Sequence, residues 1–182
     1  MSKVILRSVK DNDYPQILKI MNYEVENETA LYRIQPFTLE EIKENTESVL
    51  KRNDPYFIAC HEDDEDTVLG HGYVHPWNPK LGYRYTTELT IYLDRSHSGK
   101  GIGSLMMRSL MEACKGRYRA LISGVCTSNK ASIALHKKFN FEQVGFLKNV
   151  GFKFGKWLDV HYYEFLLTEQ AEIEQLDANK AS

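Results

Sequence analysis

The chain has 182 residues, 42% of them hydrophobic and 26% charged, with a formal net charge of −2. That length suits one domain with a sizeable core, and the composition is globular rather than disordered. Basic residues form no block beyond a local strip near Lys100 and Arg108, which excludes nucleic acid as the main partner.

Lys3–Val9 reads as a first strand. Asp11-Asn12-Asp13-Tyr14-Pro15 then opens a helix, with Asp at the cap, Pro in the first turn, and Ile17, Leu18 and Met21 on one face. Thr38-Leu39-Glu40-Glu41 has the spacing of a capping box and starts a second helix running to about Lys51. Tyr56–Cys60 and Val68–His75 read as a hairpin. The acidic run between them, His61–Thr67, reads as a solvated turn rather than a metal site, because it lacks the glycine and ligand spacing of a calcium loop.

Thr86–Asp94 is a longer strand, followed at once by Ser98-Gly99-Lys100-Gly101-Ile102-Gly103-Ser104. Ile102, Leu105, Met106, Ser109, Leu110 and Ala113 then line a helix that ends near Lys115 and Gly116. Tyr118–Cys126 is an apolar strand and Asn129–Phe139 a short helix. Phe141–Leu167 reads as two closing strands, and the chain after Thr168 as a polar tail. The organisation expected is one α/β (α+β) domain over 1–168 with a tail over 169–182.

Cys60, Cys114 and Cys126 fit no disulfide framework, CxxC pair or zinc pattern and read as buried free thiols. No window approaches the roughly 18 apolar residues of a membrane span, and Met1–Arg7 is too short an apolar run for a signal peptide. A cytoplasmic protein with no membrane partner and no metal is therefore expected.

A glycine-rich turn between a strand and a helix is an anion site. Its amides are free, the helix N-terminus is partly positive, and glycine lets backbone approach phosphate oxygens. The spacing here is not that of a P-loop. It is not the dinucleotide fingerprint either, since Ser104 stands where a third glycine is needed.

The segment resembles the cofactor motif of the GNAT acetyltransferases, Gln/Arg-x-x-Gly-x-Gly/Ala, with Ser98 in place of Gln or Arg. The resemblance covers most of the chain and narrows to the phosphinothricin and methionine-sulfone type of amino-acid N-acetyltransferase. It is carried by Met21–Val25 with Thr29-Ala30, Gly82–Leu93, Asn129–His136 with Phe141, and Val150–Val160. It implies the acyl-CoA N-acyltransferase fold, a mixed, mostly antiparallel sheet of about six to seven strands flanked by about four helices.

The resemblance also implies roles. Ile91, Tyr92 and Leu93 would offer an edge to the pantetheine arm of acetyl-CoA, and a backbone amide near Leu93 would polarise the thioester carbonyl. Ser98, Gly99, Lys100, Gly101, Ile102, Gly103 and Ser104 would hold the pyrophosphate, with Asn129 and Ser132 on a second wall. Asn129 is equally an N-cap. Glu88 is the implied base, acting directly or through a water. His136 stands where many relatives have a tyrosine that reprotonates the thiolate, and is either a proton donor or a packing residue.

Glu28, Tyr32, Lys80 and Tyr85 are the acceptor-side candidates, while Trp157 and Asp159 read as core and subunit packing. His71 and His75 read as solvent-facing strand residues. The resemblance implies acetyl transfer from acetyl-CoA to the amine of a small amino acid or a glutamine or methionine analogue, and it alone suggests a homodimer. Other amine acceptors, or a non-catalytic acyl-CoA binding module, are the alternatives.

Overall fold

A computed structural model describes residues 2–167. The tail expected over 169–182 lies outside them.

Strand β1 is Val4–Arg7, shorter than expected because Arg7 ends it. The Arg7 guanidinium clasps both oxygens of buried Asp13 at 2.7 and 2.8 Å, pulling the chain out of the sheet. Asp13 also accepts from the Lys10 amide at 2.7 Å, and helix α1 (Tyr14–Asn27) follows with Pro15 in its first turn. Helix α2 (Leu39–Lys51) has the expected capping box. The Thr38 hydroxyl accepts from the Glu41 amide at 3.2 Å, and the Glu41 carboxylate accepts from the Thr38 amide at 2.8 Å.

The remaining elements are β2 (Tyr56–His61), β3 (Gly70–Pro76), β4 (Thr86–Leu93), α3 (Ile102–Cys114), β5 (Ala120–Cys126), α4 (Lys130–Lys138), β6 (Glu142–Lys153) and β7 (Lys156–Leu166). The turn between β2 and β3 is exposed, and its Glu62 and Glu65 pair with Lys3 and Lys10.

The seven strands form one sheet in the order β1-β2-β3-β4-β5-β7-β6. Among the described residues only β4 and β5 run parallel; the other neighbours are antiparallel. Alternation along the strands sends side chains to two layers. Tyr56 and Ile58 of β2 pack under α1 and α2 with Tyr14, Ile17, Ile20, Ile42 and Val49. On the other face Met107, Leu110 and Cys114 of α3 pack on Val74, Leu89, Leu121, Val125 and Tyr163. Leu110 is fully buried, so truncating it to Ala costs about 2–5 kcal/mol. Gly72 lets α3 come this close, since a Cβ there would meet Leu110 Cδ1 at 3.1 Å.

Candidate active site

The site begins where β4 and β5 part. They pair only through Thr86↔Ala120, Thr87↔Leu121 and Glu88↔Ile122. Beyond that, β4 stays with β3 to Leu93, while β5 stays with β7 to Cys126. The divergence opens a cleft of about 1100 Å³ through the sheet.

Two hydrogen bonds set the direction of the β4 backbone. The Asp94 amide donates to Leu69 at 2.9 Å on the β3 side, and Ser123 Oγ donates to the Leu89 carbonyl at 3.3 Å from the β5 side. Because strand residues alternate, Leu89, Ile91 and Leu93 aim their N–H and C=O groups into the cleft. Tyr92, the middle residue of the expected edge, pairs instead with His71 of β3; its ring, not its backbone, lines the cleft.

The loop after β4 turns on Asp94, whose carboxylate accepts from the Ser96 amide at 2.9 Å and caps a single 3-10 turn, Arg95–His97. Gly99 and Gly101 then adopt φ of 76° and 86°, the left-handed region that glycine occupies freely. Gly101 is the N-cap of α3, and no side chain caps the helix, so its first-turn amides are free to bind an anion. A Cβ on Gly99 or Gly101 would meet nothing within 4 Å, and one on Gly103 would sit at 3.5 Å from Leu135 Cδ2. The cradle is thus open on the cleft side and suits the diphosphate of acetyl-CoA.

Ser98, Gly99, Gly101, Gly103 and Ser104 line the cleft. Lys100 is exposed off it, and the Ile102 side chain is buried in the core, so of Ile102 only the backbone faces the cradle. A cation not anticipated from the sequence does reach it: Lys138 Nζ donates to Ser104 Oγ at 2.9 Å.

Asn129 and Ser132 form the opposite wall. Asn129 Oδ1 accepts from the Ser132 amide at 3.0 Å, so it caps α4. His136 lies one turn further on, buried, stacked on Tyr163 at 5.4 Å and edge-on to Phe141 at 5.1 Å. Its Nδ1–H donates to the Ser132 carbonyl at 2.8 Å, and its Nε2 has no partner among the described residues. Burial lowers its pKa, so it is neutral at neutral pH, with its proton on Nδ1.

On the α1 side of the sheet, Glu88 lies at the fork, opposite His75 on β3, and Gly124 leaves space beside its carboxylate. Burial, then the Glu88 charge, pushes the Tyr73 phenol up to about 12, and burial holds the Tyr92 phenol well above its usual range. Both stay protonated donors near Glu88. His71 is not solvent-facing: it is buried behind them and accepts or donates with Tyr56 Oη at 2.9 Å.

The roof is the segment 28–32 between α1 and α2. Buried Lys153 donates to the carbonyls of Glu28 and Leu31, each at 2.7 Å, and of Glu24 at 3.3 Å. Thr29 and Ser128 hydroxyls bond at 2.7 Å. Tyr32 lies against Gly151, where a Cβ would fall 2.3 Å from its ring.

Of the four expected acceptor residues, Tyr32 lines the cleft. Lys80 sits in an exposed turn, the Tyr85 ring packs under Arg84 at 4.7 Å, and Glu28 pairs with Arg95 at 2.9 Å; none of these three is on the wall. Trp157 is 64% exposed, so it is no core residue, whereas Asp159 accepts from the Asn149 amide at 2.8 Å. Glu24 and Arg95, which the sequence did not mark, do line the cleft, paired at 3.0 Å.

A sheet forked at β4 and β5, with a glycine cradle at the head of α3, defines an acyl-CoA-dependent N-acyltransferase. The model of the Acetyltransferase (GNAT) domain matches residues 6–162, and the chain belongs to that family. It is 35% identical over 156 residues to the phosphinothricin N-acetyltransferase of Alcaligenes faecalis, covering 85% of this chain and 78% of that protein. It is 31% identical, over 85% of this chain and 90% of the other, to an L-methionine sulfoximine/L-methionine sulfone acetyltransferase of Pseudomonas aeruginosa. The crystal structure of a phosphinothricin acetyltransferase from Sinorhizobium meliloti in complex with AcCoA superposes with a TM-score of 0.87 at 30% identity, covering 91% and 89% of the two chains. The protein is an acetyl-CoA-dependent N-acetyltransferase with a mixed seven-stranded GNAT sheet.

Proposed function

We propose that the acceptor is the primary amine of a small amino acid or of an analogue of the phosphinothricin or methionine sulfone kind. The observation that carries this reading is the Glu88 carboxylate at the fork of β4 and β5, beside β4 amides that no strand occupies. Acetyl-CoA, when bound, supplies an activated thioester. The amides of Ile91 and Leu93 would hold its carbonyl oxygen and pantetheine arm, and Ser98–Ser104 its diphosphate, with Asn129 and Ser132 as the second wall. Glu88 would take the proton of the acceptor ammonium, directly or through a water, while neutral Tyr73 and Tyr92 donate into the same space. His136 supports a packing role better than proton donation, because its proton is committed to the Ser132 carbonyl.

Release of CoA thiol, measured with a panel of methionine sulfone, methionine sulfoximine, phosphinothricin, a polyamine and a peptide amine, tests the acceptor class. Turnover confined to the last two would overturn it.

The working unit in this reading is a homodimer in the cytoplasm. β6 is the last strand of the sheet and exposes Val144, Phe146, Val150 and Phe152, each by half or more. Such an apolar edge calls for a cover, and a second copy supplies one. Cys60, Cys114 and Cys126 are free and buried, in keeping with a reducing compartment. Light scattering of the native chain and of Val144→Lys checks the assembly; a monomer in both would exclude it. Among the described residues no helix is long and apolar enough to cross a membrane.

A further inference from the structure

We propose that Arg95 is the receptor for the acceptor's carboxylate, and that Glu28 fills that receptor as a stand-in until the acceptor arrives. The inference rests on the amino-acid reading above and names the residues that would select it.

Arg95 follows β4 directly, in the turn that leads to the glycine cradle. Its Nη2 reaches Glu24 Oε1 at 3.0 Å and Glu28 Oε1 at 2.9 Å. The guanidinium lies over Tyr23, 5.8 Å from the ring centre. The two carboxylates are not equivalent. The Glu24 side chain is 7% exposed and lines the cleft; that of Glu28 is 39% exposed and does not.

Charge balance separates their roles. Lys153 is buried against the carbonyls of both glutamates and feels both charges. Glu24, Lys153 and Arg95 together carry one uncompensated positive charge, and Glu28 supplies the missing negative one. Glu28 can turn into water at little cost because it is already part-exposed, whereas Glu24 cannot. What remains is a guanidinium on the cleft wall, fixed by a buried carboxylate and short of one anion. Among the described lining residues the only other cation is Lys138, which is engaged at Ser104 in the cofactor cradle. An α-amino acid brings a carboxylate, and the guanidinium fork suits it.

The test compares kcat/KM for methionine sulfone with that for the amine it becomes on losing its carboxylate. In the wild type the acid is preferred. Arg95→Met should shrink that preference by about 10- to 100-fold, and Arg95→Lys should restore part of it. Glu28→Gln should act in the opposite direction, lowering the KM for the acid several-fold, because the competitor is gone. A merely structural role for Arg95 cannot produce that opposite sign.

CoA affinity, measured by calorimetry on the same variants, is the second readout. If Arg95→Met weakens CoA binding and leaves the acid preference intact, Arg95 belongs to the cofactor and the inference is overturned while the amino-acid reading stands. An unchanged or raised KM in Glu28→Gln overturns it as well, even if Arg95→Met fails to fold. If the wild type acetylates no amino acid, the proposed acceptor class fails and this inference with it.

Discussion

Lys138 and Ser104 are 34 residues apart in the chain, yet Lys138 Nζ donates to Ser104 Oγ at 2.9 Å, tying the last turn of α4 to the first turn of α3. The contact places an ammonium beside amides that no side chain caps. The family motif has Gln or Arg where this chain has Ser98, so the cradle lacks a long polar side chain at that end. Lys138→Ala is expected to weaken CoA binding about tenfold and to flatten its dependence on salt. Calorimetry at two ionic strengths measures both; equal affinities for variant and wild type would show that the backbone acts alone.

Glu88→Gln keeps the shape of the fork and removes the proposed proton acceptor. Turnover should drop by about 10²–10⁴-fold with CoA affinity unchanged. Thiol release and calorimetry separate the two quantities, and a variant of near wild-type rate would move the base elsewhere.

Two of the loop glycines should fail in different ways. Gly101 has a φ of 86°, so Gly101→Val strains the N-cap of α3 by about 1–2 kcal/mol and lowers Tm as well as CoA affinity. Gly103 is helical, and a Cβ there meets only ordinary contacts at 3.5 and 3.7 Å. Gly103→Ala is therefore expected to keep its Tm in the free enzyme and to lose CoA affinity, because the methyl group stands in the cradle. Thermal melts with and without CoA distinguish these outcomes.

Buried His71 gives the fold a pH dependence of known sign. Burial pushes its pKa down from 6.5 to about 3, and His136 moves in the same direction. Above about pH 6.5 both histidines are neutral folded or unfolded, and no stability is lost. Between pH 6.5 and 3 the unfolded chain takes up a proton at His71 that the folded chain refuses, so stability falls as pH falls, by up to about 1.4 kcal/mol per pH unit for this group, and His136 adds to the fall in the same direction. Urea unfolding from pH 7.5 to 5 should show the decline, and His71→Gln should reduce its slope. Equal slopes would mean that His71 takes up a proton in the fold.

What the sequence disclosed was local. Thr38 with Glu41, and Asn129 with Ser132, are caps closed within four residues, and both formed as their spacing required. Gly99 and Gly101 announced a turn that only positive φ can make. Lys80 and Tyr85 were misplaced because the short turn after β3 carries them off the cleft, and spacing along a chain does not reveal such a rotation. The pairing of Arg95 with Glu24, like that of Lys138 with Ser104, depends on segments far apart in the chain meeting in the fold: the turn after β4 with α1, and α3 with α4. The bond from His136 Nδ1 to its own helix, which favours packing over proton donation, is likewise not legible in spacing.

The short parallel register of β4 and β5 has a thermodynamic meaning beyond the space it opens. Three paired positions leave the backbone amides of Ile91 and Leu93 facing no strand of the protein. In the proposed binding mode the cosubstrate's peptide-like arm would complete that ladder, so the sheet would be whole only with cosubstrate in it. Ligand present at 100 times its Kd adds about 2.7 kcal/mol to the folded state. For a small domain that is a sizeable share of its whole stability. Resistance to unfolding, and with it lifetime against proteolysis, would then track the supply of acetyl-CoA: where that supply falls, the catalyst would become scarcer as well as idle.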